Sequence, residues 1–214
     1  VFGSINLDLV ARVARLPRPG ETLHGSSFAT SPGGKGANQA LAARRAGAAV
    51  AMFGAVGRDA FATPALALLD AAGIDLAGVR ATGAETGVAL IHVDDAGQNA
   101  ITVIPGANAL ARAADVPDRV LGPATTLILQ FETPHAESLL LAQRARARGT
   151  RVVLNPAPAA TLSPAWLDAI DLLIVNETEA GEVARPLGLP ESPREFAAAL
   201  SAQHGLMVVA TLGR

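Results

Sequence analysis

Apolar residues in this chain fall into short runs, and several of the gaps between them carry a helical period. Residues 1–5 form one such run and read as a buried strand. Residues 49–53 read as a second strand, followed by a turn at 54–57. A helix is predicted over 59–72, with Phe61, Ala65, Leu66, Leu68 and Leu69 on its apolar side and Gly73 as its stop. A strand at 74–79 completes a βαβ pattern. Strands are predicted again at 125–130, 151–154, 171–175 and 206–212. Helices are predicted at 134–148 and 193–204, with another opening after residue 175. Strands alternating with helices in this way predict an α/β fold with a mostly parallel sheet. Four further segments differ. Residues 9–16 and 22–30, split by Pro17, Pro19 and Gly20, and residues 87–93 and 100–104, joined by a turn at 94–97, read as exposed strands with one wet face.

Composition narrows the function classes. Of 214 residues half are apolar and 17% are charged, below the usual level of about 25%. The net charge is −2 and no basic block occurs, which argues against nucleic acid as a partner. The chain contains no cysteine, so it has no disulfide framework and no thiolate metal site. No uncharged apolar run reaches about 18 residues, so neither a transmembrane helix nor a membrane partner is expected. No secretion signal opens the chain, and a cytoplasmic location is the expectation. The chain begins at Val1 and reads straight into a strand, so residues are expected in front of it. His24, His92, His135 and His204 read as surface residues; neither an H-E-x-x-H motif nor a nucleophile elbow is present.

The stretch S-P-G-G-K-G-A-N-Q-A at 31–40 concentrates the candidate chemistry. Glycines let backbone approach a ligand closely. The N–H groups that open a helix favour anionic or oxygen-rich groups. Lys35 and Asn38 add directed donors within one helical turn, beside Gly34 and Gly36. The stretch is not a Walker A loop, because Gly36 follows Lys35 where that motif needs Ser or Thr. Its glycine spacing is not that of the dinucleotide fingerprint. A polyhydroxylated or phosphorylated small molecule fits such a site.

Other polar residues fall just past strand ends, where open α/β sheets bind ligands. Asn6 and Asp8 follow the first strand; turn chemistry is their alternative. Glu132 follows the strand at 125–130, with a solvated carboxylate as its alternative. Asn176 and Glu179 open a helix, where a capping arrangement is an equal alternative. Asp59 reads as a helix N-cap.

The ordered set of motifs resembles the ribokinase-like (PfkB) family of sugar and nucleoside kinases. It comprises G-S-I-N-L-D at 3–8, P-G-E-T at 19–22, G-G-K-G-A-N-Q-A at 33–40, G-V-A-L-I at 87–91, G-A-N at 106–108, N-P-A-P-A at 155–159, N-E-T-E-A at 176–180 and T-L-G at 211–213. The resemblance spans residues 1–214. It implies a three-layer α/β/α sandwich with a small β lid, formed by segments near 9–30 and 86–105, through which such proteins pair as homodimers.

The implied activity is transfer of phosphate from ATP to a primary hydroxyl, O5 of D-ribose in the first instance. Adenosine, fructose or deoxyribose are alternative acceptors, and a truncated, non-catalytic sugar-binding or dimerisation module is an alternative of another class. By resemblance, Asn6, Asp8, Gly34, Lys35, Gly36, Asn38 and Glu132 hold the sugar. Asn176, Thr211 and Gly213 line ATP, and Glu179 helps place Mg²⁺ through water. The family's G-A-G-D motif, whose Asp is the general base, does not occur in these residues. That base and the site for an activating K⁺ or other monovalent cation are expected beyond Arg214.

Overall fold

The computed structural model describes residues 1–213. It contains two compact units: Ser4–Leu110, and Val1–Gly3 together with the chain from Ala111 onward.

The first unit is built around a four-stranded mixed sheet. Its strands are β1 (Asn6–Val13), β2 (Gly25–Gly33), β5 (Gly87–Val93) and β6 (Asn99–Ile104), in the order β2-β1-β5-β6. β1 is antiparallel to β2 and parallel to β5. The four segments read as exposed strands therefore share one sheet, but its ladder reaches further than their pattern indicates, because β1 starts at Asn6 and β2 runs to Gly33. The turn between β1 and β2 is closed by Glu21, which pairs with Arg15 and accepts from Arg18 N–H at 3.0 Å. The hydrogen bond from Arg15 holds the Glu21 carboxyl at about 2. P-G-E-T is thus a turn motif here.

Between these strands lies the βαβ unit: β3 (Ala51–Val56), α2 (Ala62–Ala71) and β4 (Asp75–Ala81), with β3 and β4 parallel. Gly54, expected in a turn, stays within β3. Met52, Ala55, Ala65 and Leu69 are buried beneath it. Helix α1 (Lys35–Arg45) follows β2 directly, and a 3-10 turn at Gly106–Leu110 follows β6.

Asp59 precedes α2 and does more than cap it. One oxygen accepts from the N–H groups of Phe61 and Ala62 at 3.0 and 3.1 Å and from Thr86 Oγ1 at 2.8 Å. The other accepts from Thr86 N–H at 2.7 Å. These bonds, led by the one from Thr86 N–H, hold its pKa below the ordinary 3.8. A depressed carboxylate adds stability above its unfolded pKa and loses it as pH falls through the folded one. Asp59→Asn is therefore expected to lower stability at pH 7 and to narrow the gap between pH 7 and pH 3. Urea unfolding at the two pH values checks this; an unchanged gap contradicts it.

The second unit carries a parallel sheet in the order β10-β9-β8-β7, comprising β7 (Thr126–Gln130), β8 (Arg151–Asn155), β9 (Leu172–Asn176) and β10 (Met207–Thr211). Its helices are α3 (His135–Arg146), α4 (Pro164–Ala169), α5 (Glu177–Leu187) and α6 (Pro193–His204). Leu129, Leu154 and Leu173 from the sheet are fully buried, as are Leu141 from α3 and Phe196 and Leu200 one turn apart on α6. Gly3 leaves room for the buried Gln130 amide: a Cβ there would lie 2.0 Å from Gln130 Oε1. Among the described residues no helix is long and apolar enough to cross a membrane.

Candidate functional site

Asn6 and Asp8 are not loop residues beyond a strand. They are the first and third residues of β1, so the period of two puts both side chains on one face of the sheet. The correction has a physical basis. Opposite Asn6, the flanking strands both carry glycine, Gly33 on β2 and Gly87 on β5. A Cβ at Gly33 would lie 2.3 Å from Asp8 Oδ1, and one at Gly87 would lie 2.4 Å from Asn6 Oδ1. The two glycines vacate the space into which the amide and the carboxylate fold. Asn6 is buried and Asp8 half-buried.

The glycine stretch joins this face to α1. Gly34 adopts φ 88° and is the N-cap of the helix. Only glycine accommodates both that dihedral and the approach, because a Cβ would stand 2.8 Å from Asn6 N and 2.9 Å from Ser4 O. The N–H groups predicted to point at a ligand are partly taken. Gly36 N–H donates to Ser4 Oγ at 3.2 Å and Ala37 N–H donates to Ser4 O at 2.9 Å. Ser4 thereby locks the helix start onto the residues just before Asn6. Lys35 lies half-buried in the first turn and Asn38 is exposed at the next position round the helix. Asn6, Asp8, Gly34, Lys35, Gly36 and Asn38 thus belong to one unit and one junction of β1, β2 and α1.

The remaining candidates lie in the other unit, at the carboxyl edge of its parallel sheet. Glu132 follows β7, half-buried. Asn176 ends β9 in register with Thr211 at the end of β10. Thr211 Oγ1 donates to Val175 O at 3.4 Å, and Gly213 N–H donates to Glu177 Oε2 at 3.4 Å.

The capping alternative at Asn176 is realised. Glu179 N–H donates to Asn176 Oδ1 at 2.8 Å and Asn176 N–H donates to Glu179 Oε2 at 2.9 Å, a reciprocal capping box. Asn155 Nδ2 adds a long bond to the same carboxylate oxygen at 3.5 Å. Asn176→Ala is expected to lower stability by about 1 kcal/mol, as loss of a cap does. Chemical denaturation with no nucleotide present checks this; unchanged stability contradicts the cap.

Sequence reasoning missed Asn108. It is buried in the 3-10 turn and bonded to Ile5 and Asn6. The G-A-N motif was its only signal.

Comparison with known proteins identifies the family. The family model for pfkB family carbohydrate kinases matches residues 1–214. Ribokinase of Haemophilus influenzae is 40% identical over 84% of this chain and 60% of its own length. Ribokinase of Lactococcus lactis subsp. lactis is 38% identical over 92% of this chain and 66% of its own length. The chain therefore spans about two thirds or less of these relatives. The structure of Arabidopsis thaliana ribokinase complexed with ribose and ATP aligns with a TM-score of 0.84 and 30% identity, over 99% of this chain and 70% of that one. With the family model matched throughout, and relatives 38–40% identical over most of its length, the chain belongs to the pfkB family of carbohydrate kinases.

Proposed function

We propose that the protein transfers phosphate from ATP to the primary hydroxyl, O5, of D-ribose. The observation that carries this is the face of β1: Asn6 and Asp8 lie side by side on it, and glycine on both flanking strands makes room for their amide and carboxylate. An amide and a carboxylate suit adjacent hydroxyls, each of which can donate and accept. Lys35 and Asn38 extend the polar surface along α1, with Gly34 and Gly36 bringing the backbone close. The relatives named ribokinase, and the neighbour solved with ribose and ATP, favour ribose over other polyols. Glu132 is assigned to the sugar on the resemblance.

ATP would lie along Asn176, Thr211 and Gly213 at the carboxyl edge of the parallel sheet, where such folds bind ligands and where α5 offers its N-terminus. Mg²⁺ fits this donor set. Among the described residues no group of three or more His, Asp or Glu could hold a metal directly, and Mg²⁺ keeps several waters and binds through one carboxylate plus phosphates. Glu179 would hold it through water, and the ion would neutralise charge on the transferring phosphate. The general base and a K⁺ site are assigned, on the resemblance, to no described residue. Phe28, Leu90 and Ile104 are exposed on the four-stranded sheet, and a second copy covering them would give a homodimer. A cytoplasmic setting suits an enzyme that consumes ATP.

The test is ATP consumption by the full-length protein with Mg²⁺, with and without K⁺, across D-ribose, deoxyribose, fructose and adenosine. The reading predicts the highest kcat/KM with D-ribose. Preference for another of these acceptors replaces the substrate; no turnover with any of them overturns the kinase reading.

A further inference from the structure

Asn108 fixes which end of the Asn6 amide turns toward it. Ile5 N–H donates to Asn108 Oδ1 at 2.9 Å. A backbone N–H can only donate, so the atom it meets must be the oxygen. The other terminal atom of Asn108 is therefore Nδ2, and its two hydrogens go to Ile5 O at 3.2 Å and Asn6 Oδ1 at 2.7 Å. Because that partner must accept, Asn6 turns its oxygen toward Asn108 and its Nδ2 away from it. The orientation follows from a backbone donor through two amides and needs no assumption about either one.

The surroundings hold this pair. Asn108 and Asn6 are 1% and 3% exposed. A Cβ on Gly87 would lie 2.2 Å from Asn108 Nδ2 and 2.4 Å from Asn6 Oδ1, so only glycine at that position leaves room for the contact. Gly87 N–H lies in the segment tied down by Asp59 through Thr86. Asn108 and Ile5, 103 positions apart, are bridged at both the N–H and the C=O of Ile5.

We propose that Asn108 is a positioning residue that fixes Asn6 as a hydrogen-bond donor toward the substrate, opposite in sense to the acceptor Asp8. The pair would then select a group that accepts at one atom and donates at its neighbour, as adjacent sugar hydroxyls do. This rests on the reading that Asn6 touches the sugar.

The experiment is a double-mutant cycle on the full-length protein with D-ribose as the probe. In Asn108→Asp the carboxylate still accepts from Ile5 N–H but cannot donate to Asn6. The Asn6 amide then turns its nitrogen inward and its oxygen outward. The expected result is at least 10-fold weaker D-ribose binding in Asn108→Asp and in Asn6→Ala, with less than 2-fold further loss in the double variant. Losses that multiply overturn the proposal, since a merely structural Asn108 would act independently of Asn6. A second measurement needs no variant. In ¹⁵N-labelled protein the Asn108 side-chain NH₂, with both hydrogens bonded, should exchange more slowly than the Asn6 NH₂, and the Asn6 NH₂ should shift on addition of D-ribose. The reverse protection overturns the proposal. If the unaltered protein binds no D-ribose, the sugar reading fails by itself, and the exchange pattern alone decides whether Asn108 orients Asn6.

Discussion

Replacing Asp8 with alanine is expected to weaken D-ribose binding by about 100-fold or more and to leave the chain folded. A carboxylate accepts from two hydroxyls, and hydrogen bonds to charged groups contribute about 1.5–3 kcal/mol each. Losing both costs about 3 kcal/mol or more, which is about two decades in affinity. Asp8 is half-buried on a strand held by ladders on both sides, so the backbone keeps its register without the side chain. Asp8→Asn keeps the shape but gives up one acceptor, and about 10-fold weaker binding is expected. Titration calorimetry with D-ribose, with circular dichroism as the control for folding, separates the outcomes. Binding within about threefold of the unaltered protein would remove Asp8 from the site.

Gly34→Ala is expected to be strongly destabilising, although it adds only one methyl group. The backbone at φ 88° and ψ 134° is sparsely populated by non-glycine residues and costs one about 1–3 kcal/mol. The new Cβ would also press on three backbone atoms, Asn6 N, Ser4 O and Ile5 Cα, at 2.8, 2.9 and 3.1 Å. Backbone cannot rotate away as a side chain can, and forced overpacking adds about 1–3 kcal/mol. A total of about 3 kcal/mol corresponds to a Tm lowered by about 6–12 °C in a chain of this size. Sugar binding should fall as well, because relief comes from moving α1 away from Asn6. Gly47→Ala is the matched control: φ is 95° but nothing lies within 4 Å of its Cβ, so only the conformational part remains. Equal Tm losses at the two positions would show that the contact with the Ser4–Asn6 backbone contributes nothing.

What was legible in the sequence follows from where its signals are local. Helix α6 begins and ends where expected, because Pro193 follows Ser192 at its start and Gly205 takes the left-handed conformation at its end. The βαβ unit was readable from the period of Leu66 and Leu69 and the stop at Gly73. Helix α4 escaped the periodic reading: it has six residues, too few for a helical period, although Ser163-Pro164 marks its start. β1 was read only from Leu9 onward, with its start placed three residues late, for a different reason. Asn6 and Asp8 read as a polar strand end, but the ladder already includes them, because Gly33 and Gly87 make room for their side chains.

The site divides in the same way. The cluster at 31–40 and its link to Asn6 and Asp8 were visible as motifs, and the structure brings their residues to one junction. Ser4 was not visible as the residue that takes two of the helix N–H groups, since any serine near a strand reads as a turn former. The role of Asn108 was not legible from the G-A-N motif, because its partners lie more than 100 positions away and no periodicity marks a lone amide in a 3-10 turn. Asn176 and Glu179 were legible as a pair with two readings, and the capping box gives the structural one a definite geometry.

The central claim is that the Asn6–Asp8 face of β1 holds the sugar. A crystal structure of the full-length protein grown with D-ribose tests it most directly. The account predicts the sugar on that face, with hydroxyls bonded to Asn6 Nδ2 and to the Asp8 carboxylate beside Gly33 and Gly87. A sugar bound elsewhere, or that face free of sugar at saturating D-ribose, would contradict it.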